Sequence, residues 1–399
     1  MADQNTQQEP MDIQKKTSLD KDLRKIGSIE RASRFVSAGL VSPAIGLIFL
    51  ILAGTVAASQ FSGHGSLAVL IGAAILGGYM AMNIGANDVA NNVGPAVGAR
   101  AMTMAGALAI AAVFECAGAL IAGGDVVSTI SKGIIDSKQV ADSQTFIWAM
   151  MAALLASAVW VNLATMLGAP VSTTHAVVGG VLGAGVAAAG FGAVNWPTMA
   201  AIAASWVISP LMGGVIAAAF LAFIKTFIIY QDDKITQAKK WVPLLVAIMA
   251  GCFTAYLAMK GLNKIWKISL LSALAGGLVV LLASWAILRP LIAKQSEGLE
   301  NRNQSLRILF RWPLIFSAAL LSFAHGANDV ANAIGPLAAI IHTLGQGAVA
   351  TKVGVPLWVM LIGGAGISLG LFLYGPRLIR MVGEQITKMN PMRAYCVAL

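Results

Sequence analysis

The sequence predicts an all-α polytopic membrane protein with inverted-topology repeats, broken helices and a re-entrant hairpin, in which the second repeat is incomplete. Hydrophobic residues make up 58% of the 399 residues and charged residues only 11%, whereas a soluble domain carries about 25% charged residues. The apolar runs are long enough to span ~30 Å of hydrocarbon. Inside these runs one polar sequence occurs twice.

Apolar segments divide the chain. Ten candidate crossings occupy residues 39–59, 66–84, 101–123, 147–168, 171–192, 198–224, 241–259, 267–289, 312–336 and 353–375. We expect five regions: a disordered basic tail (1–38), an extra transmembrane helix (39–62), a first transport repeat (63–224), central loops and linking transmembrane helices (225–311) and a truncated second transport repeat (312–399).

Basic residues concentrate in the tail and in the loops at 225–240, 291–311 and 376–393. Loops rich in Lys and Arg lie on the cytoplasmic side of membrane proteins. We therefore expect a multi-pass protein of the cell membrane with a cytoplasmic N-terminal tail. The expected partner of this chain is the lipid bilayer, and the basic loops account for its net charge of +10. The charge therefore does not indicate nucleic-acid binding.

The repeated polar sequence is Gly-Ala-Asn-Asp-Val-Ala-Asn-Asn-Val-Gly-Pro at 85–95 and Gly-Ala-Asn-Asp-Val-Ala-Asn-Ala-Ile-Gly-Pro at 326–336, 241 positions later. We call these the first and second Asn/Asp segments. An Asp in hydrocarbon costs at least ~2.5–3.5 kcal/mol on insertion scales, so such groups bind something or pair. Gly and Pro bracket each segment and predict a break in each helix.

The two Asn/Asp segments are inverted relative to each other if the ten apolar segments alternate across the membrane. The helix entering the first then runs toward the cytoplasm, and the helix entering the second runs away from it. Inverted repeats with broken helices and a site near the midplane are the architecture of secondary transporters.

Side-chain spacing within each segment predicts a binding site. Asp88 and Asn91 lie three residues apart, as do Asp329 and Asn332, so each pair shares a helix face. Carboxylate and amide oxygens suit a hard cation such as sodium, or a proton carried on the Asp. The alternative is that Asn side chains hold transmembrane helices together, but the duplication favours binding.

A third motif, Gly-Ala-Pro-Val-Ser-Thr-Thr-His at 168–175, predicts another helix interruption. Ser172, Thr173 and Thr174 would begin the next helix, where hydroxyls and free N–H groups bind tetrahedral oxyanions. An ordinary N-cap is the alternative. Glu115, inside an apolar run, could neutralise a cation or relay a proton, or it could pair helices. Its counterpart 241 positions later is Pro356, so it is not a repeated feature.

Together, the paired Gly-Ala-Asn-Asp-Val-Ala-Asn strings, the Pro-Val-Ser-Thr-Thr-His string and the stretch at 322–336 resemble the signatures of the inorganic phosphate transporter (PiT) family. The resemblance covers roughly residues 66–395 and implies symport of orthophosphate with sodium or protons through two inverted repeats. It places Asn87, Asn328, Ser172, Thr173 and Thr174 at substrate positions. It also places Asp88, Asn91, Asp329 and Asn332 at ion-coupling positions. We add Glu115 to this ion-coupling set because it is a carboxylate inside an apolar run.

One departure from the family pattern concerns the second hairpin. The 241-residue offset places the partner of Ser172 near position 413, past Leu399. We therefore expect an incomplete second repeat with a polar groove open near Asn328, Asp329 and Asn332, and poor phosphate transport by residues 1–399 alone.

The predicted function is phosphate symport with sodium or a proton as coupling cation, without a cofactor and without enzymatic activity. A homodimer is a further expectation. One alternative is a carrier of sulfate or a metal–phosphate complex on the same scaffold. Another is a membrane enzyme using Asp88 and Asp329 as a carboxylate pair, which a nucleophile motif, a metal-binding His pair or a nucleotide loop would support. The sequence shows none of these.

Overall fold

A computed structural model describes residues 39–63, 65–123, 133–136, 139–261, 267–347, 354–386 and 389–398. Nine helices within these ranges are long and apolar enough to cross a membrane, which confirms a multi-pass helical protein. Met1–Leu47 and Ile48–Leu399 form separate units, and the described part of the first is the start of one helix. The predicted tail at 1–38 lies outside the described residues, and the five predicted regions stay a prediction.

The helices are labelled in chain order. They are α1 (Gly39–Ser59), α2 (Leu67–Gly98), α3 (Met104–Ala122), α4 (Ser143–Leu167), α5 (Thr173–Ala189), α6 (Trp196–Ile224), α7 (Lys234–Lys260), α8 (Leu270–Gln295), α9 (Asn303–Leu309), α10 (Arg311–Gln346), α11 (Leu357–Arg380) and α12 (Pro391–Ala398). Capping side chains begin several of them. Asp142, for example, caps α4, and hydrogen bonds from the backbone N–H and hydroxyl of Thr145 hold the pKa of its carboxyl below the usual value.

Helix α5 corrects the prediction of ten crossings. It has 17 residues, which at 1.5 Å per residue gives roughly 25 Å, less than the ~30 Å of a hydrocarbon core. Strict alternation of ten segments therefore does not describe the fold. The orientation of the chain in the membrane stays a prediction.

The helix breaks predicted at the Asn/Asp segments are absent, because α2 and α10 continue through them as helices of 32 and 36 residues. The glycines serve close packing instead. A Cβ at Gly85 would collide with the carbonyl oxygen of Ile367 on α11, and one at Gly326 would collide with that of Glu115 on α3. The interruption predicted between α4 and α5 is present, with Gly168 in the left-handed region at φ 78°.

Contacts between helices repeat along the chain, with one offset for α2 and α10 and another for α3 and α11. A Cβ at Gly118 would collide with the carbonyl of Phe323, and one at Gly370 with that of Met82. Met82 and Phe323 are 241 positions apart, like Gly85 and Gly326, whereas Gly118 and Gly370 are 252 apart, like Glu115 and Ile367. Helix α2 thus packs on α11 in the same way as α10 packs on α3. Ile367 and Glu115 occupy equivalent positions in these two contacts, so the structural counterpart of Glu115 is Ile367 and not Pro356.

Two hydrophobic clusters show how α2 and α10 run. One cluster contains Val69 near the start of α2, Ile84 near its middle and Leu337 from the second part of α10. The other contains Val89 from the second part of α2 and Leu314 from the first part of α10. The two helices are therefore antiparallel, as inverted repeats require, and Asp88 lies where α2 passes from one cluster to the other.

Candidate functional site

The two Asn/Asp segments meet around the imidazole of His325. Its Nε2 lies 3.2 Å from Oδ2 of Asp329 and 3.5 Å from Oδ2 of Asp88. His325 and Asp329 are four residues apart on α10 and so share a face, whereas Asp88 comes from α2. The fold thus brings two carboxylates that are 241 positions apart to one imidazole.

Glu115 on α3 is a third carboxylate beside this imidazole. Its Oε2 lies 3.4 Å from Nδ1 of His325, and its side chain is fully buried. The other oxygen, Oε1, accepts a hydrogen bond of 2.8 Å from Nδ2 of Asn92. His325 therefore contacts carboxylates from three helices, and its two nitrogens make no hydrogen bond of good geometry with any described residue.

Asn87 holds the linker between α4 and α5 against α2. Its Nδ2 donates to Oγ1 of Thr165 at 2.9 Å and to the carbonyl oxygen of Ala169 at 3.2 Å, and its Oδ1 accepts from the backbone N–H of Val171 at 3.0 Å. Both donor hydrogens of the buried amide are used by these bonds. Its substrate contact stays a prediction, and here the side chain fixes the linker.

The three hydroxyls at the start of α5 have three different partners. Ser172 is the N-cap and accepts from the backbone N–H of His175 at 3.2 Å, as the alternative interpretation predicts for this residue. Thr173 donates to Oδ2 of Asp88 at 2.6 Å. Thr174 accepts from Nδ2 of Asn332 at 2.9 Å. The N-terminus of α5 is thereby joined to both Asn/Asp segments.

Two cavities border this cluster. The first, of 340 Å³, is lined by Asp88, Asn91, Pro170, Val171, Ser172, Thr173, His325 and Asp329. The second, of 490 Å³, includes Ser172, Thr174, Asn328, Asp329 and Asn332, together with residues of α6. A cavity thus lies beside Asn328, Asp329 and Asn332, but its surface is mostly apolar, so a polar groove at this place stays a prediction. Ser172 and Asp329 border both cavities.

Related positions in the two Asn/Asp segments have different surroundings. Asn87 is buried, whereas its counterpart Asn328 is exposed along the second cavity. Asn91 is exposed on the first cavity, whereas its counterpart Asn332 is buried and bonded to Thr174. The two segments therefore contribute unequal surfaces to the site, although nine of their eleven residues are identical.

His325 and Asn92 were not among the predicted site residues. The four-residue spacing between His325 and Asp329 is the signal that could have identified the histidine. Asn92 has the same four-residue spacing from Asp88, but its partner in the structure is Glu115 on another helix, which this spacing does not indicate. The predicted site residues lie in the cluster or on its cavities, except Asn87, which lies on α2 and contacts the linker.

The arrangement is suited to holding a positive charge. Asp88, His325 and Asp329 each offer one ligand atom, and these atoms lie within 4.8 Å of one another. Carboxylate oxygens are the ligands preferred by hard cations. The first turn of α5 lies beside them, and the backbone N–H groups of a first helical turn favour an anion.

Comparison with known proteins adds a family match. The model of the phosphate transporter family matches residues 84–399, which include both Asn/Asp segments and α5. A Helicobacter pylori protein described as a candidate phosphate permease is 51% identical over 381 residues, covering 95% of this chain and 72% of that protein. The chloroplastic inorganic phosphate transporter 2-1 of Arabidopsis thaliana is 37% identical over 347 residues, covering 80% of this chain and 59% of that protein.

A solved structure of a sodium-dependent phosphate transporter also matches the fold. It superposes on this chain with a TM-score of 0.78 at 35% sequence identity. The match covers 83% of this chain and 82% of that chain.

Proposed function

This chain belongs to the phosphate transporter family, and we propose that it carries inorganic phosphate across a membrane by symport with a cation. The observation that carries the proposal is that Asp88 and Asp329 both lie beside Nε2 of His325, next to the N-terminus of α5. A site for a cation and a site for an anion are thereby next to each other.

The anion site in this proposal is the 340 Å³ cavity at the start of α5. Ser172 and Thr173 line it, and the first-turn N–H groups of α5 have no acceptor within the helix. Phosphate accepts hydrogen bonds from such N–H groups and from a hydroxyl such as that of Ser172, whereas the single proton of the Thr173 hydroxyl is donated to Asp88. Asn91, exposed on the same cavity, offers a further amide donor.

Coupling follows from the charge of this cavity. An anion there lies beside two carboxylates, and two like unit charges 4 Å apart repel by about 4 kcal/mol at an effective dielectric constant of 20. A cation held between Asp88 and Asp329 offsets this repulsion. Phosphate binding and cation binding thus favour each other, which is the requirement for symport.

Movement between the repeats completes the proposal. Asp88 and Asp329 belong to different repeats. Helix α2 packs against α11 and the antiparallel α10 packs against α3, so each of them contacts a helix of the other repeat. Alternating access in inverted-repeat carriers moves one repeat against the other around a fixed site. The cation and phosphate, bound to both repeats, then cross together without chemical change.

Lipid surrounds the apolar helices in this proposal. Helices α6 and α8 expose large apolar side chains, among them Leu211, Val215, Leu271 and Val279. Exposed apolar surface of this extent marks a membrane or protein interface. The cytoplasmic position of the N-terminal tail and a homodimer stay predictions.

Uptake by proteoliposomes tests the proposed function. We expect labelled phosphate to accumulate with an inward sodium gradient and to be recovered as orthophosphate, with excess sulfate as a weak competitor. A potassium gradient at the same pH is the control. Uptake that follows a pH gradient and ignores sodium would identify the proton as the coupling cation, strong competition by sulfate would favour the sulfate carrier, and absence of uptake with either gradient would contradict symport.

A further inference from the structure

The side chain of Asn92 holds the one carboxylate of the cluster that comes from neither Asn/Asp segment. Asn92 is 3% exposed and Glu115 is 0% exposed. The amide donates to Oε1 of Glu115 at 2.8 Å, which leaves Oε2 at 3.4 Å from Nδ1 of His325. Oε2 has no hydrogen-bond partner among the described residues. The bond to Asn92 therefore determines which oxygen of Glu115 faces the imidazole.

Asn92 and Glu115 differ together from their repeat counterparts. Position 92 corresponds to Ala333 at the offset of 241, and position 115 corresponds to Ile367 at the offset of 252 that the helix contacts define. An amide–carboxylate pair in the first repeat thus replaces two apolar residues of the second. Since Ala333 and Ile367 are both buried, the fold at this position does not require polar residues.

Another asparagine of α2 shows what a purely structural amide looks like. Asn83, also 3% exposed, donates to the carbonyl oxygen of Tyr79 at 2.9 Å and accepts from Nδ2 of Asn162 at 3.0 Å. Its partners are neutral groups, and it borders neither cavity. Asn92 differs because its partner is a carboxylate that contacts His325.

We propose that Asn92 is a positioning residue for the coupling cation, acting through Glu115. The terminal torsion of a Glu side chain has broad, roughly two-fold preferences, so a carboxylate without the Asn92 bond rotates away from the imidazole. With the bond, His325 stays between Glu115 and the pair Asp88 and Asp329. This inference rests on the proposed function, because it concerns the same cation.

A mutant cycle on the purified protein tests this role without requiring transport. The readout is the sodium concentration that gives half of the sodium-induced rise in melting temperature. We expect Asn92→Ala to raise that concentration about tenfold, the effect of losing one hydrogen bond to a charged group. In a Glu115→Gln background, Asn92→Ala should raise the half-effect sodium concentration by no more than about twofold, because the charge that Asn92 positions is gone.

Asn83→Ala is the matched control, since it removes an equally buried amide from the same helix. We expect it to lower the melting temperature without changing the half-effect concentration of sodium. Asn92→Leu, which removes the donor at a similar size and adds no charge, should behave like Asn92→Ala. The inference would be overturned if Asn83→Ala and Asn92→Ala changed the half-effect sodium concentration equally. It would also be overturned if the effect of Asn92→Ala on that concentration were undiminished in the Glu115→Gln background.

Failure of the proposed function gives a different result. If the wild-type protein binds sodium in this assay but takes up no phosphate, symport is contradicted while the role of Asn92 is still decided by the mutant cycle. If sodium does not raise the melting temperature of the wild-type protein, both the sodium-coupled function and the role of Asn92 toward sodium are contradicted.

Discussion

The hydroxyl of Thr173 donates a hydrogen bond of 2.6 Å to the carboxylate of Asp88, and both side chains are buried. The bond joins the first turn of α5, where the proposed anion site lies, to the carboxylate of the proposed cation site. A change at either residue is therefore expected to affect binding of both ions.

Thr173→Val should weaken phosphate binding. The substitution keeps the size of the side chain and removes the hydroxyl that joins the first turn of α5, where phosphate would bind, to Asp88. A lost hydrogen bond to a charged group such as this carboxylate costs about 1.5–3 kcal/mol. Phosphate affinity by calorimetry, measured together with the melting temperature, checks this. Thr174→Val and the cap substitution Ser172→Ala are the comparisons, and a fall in melting temperature with unchanged affinity for Thr173→Val would assign the residue a structural role only.

Asp88→Asn and Asp329→Asn should each remove most cation-driven uptake. Each substitution keeps the shape of the side chain and removes a negative charge, from a buried position at Asp88 and from a partly buried one at Asp329. Asp142→Asn is the control, since Asp142 is an exposed helix cap. Near-normal uptake driven by sodium in Asp88→Asn would contradict the assignment.

Gly85→Ala and Gly326→Ala should destabilise the protein, because the added Cβ collides with a backbone carbonyl of the crossing helix. Overpacking of this kind costs typically 1–3 kcal/mol. Gly276→Ala on α8 is the control, since a Cβ there has open space and Ala is the better helix former. If the melting temperatures of the three variants were equal, these glycines would not be required by close packing.

Asn87→Ala and Asn328→Ala should differ although the residues are repeat counterparts. Asn87→Ala removes the hydrogen bonds to the partly buried backbone groups of Ala169 and Val171, and an unsatisfied group costs up to about 1–3 kcal/mol when it is fully buried. Asn328 is exposed, and substitutions at such positions usually change stability by no more than about 0.5 kcal/mol. Thermal unfolding of the two variants measures the difference, and similar losses of stability would show that Asn87 does not hold the linker.

Polar residues inside apolar sequence made most of the site predictable. Asp88, Asp329 and Glu115 stand out because a carboxylate in hydrocarbon is costly, and the duplication identified the first two as a pair. The prediction of helix breaks was wrong because it treated Gly85 and Gly326 as residues that loosen a helix. Their lack of a side chain is used here for contact with Ile367 and Glu115.

By itself, the sequence determined the membrane class, the internal repeat and the polar groups available for binding, because apolar length, duplication and the cost of buried charge are properties of the chain alone. Only the tertiary structure decided that His325 joins three carboxylates, that Asn92 orients Glu115, and that Asn87 holds the linker while Asn328 faces a cavity. These relationships depend on which helices cross, since identical residues in repeated segments acquire different partners when different helices pack against them.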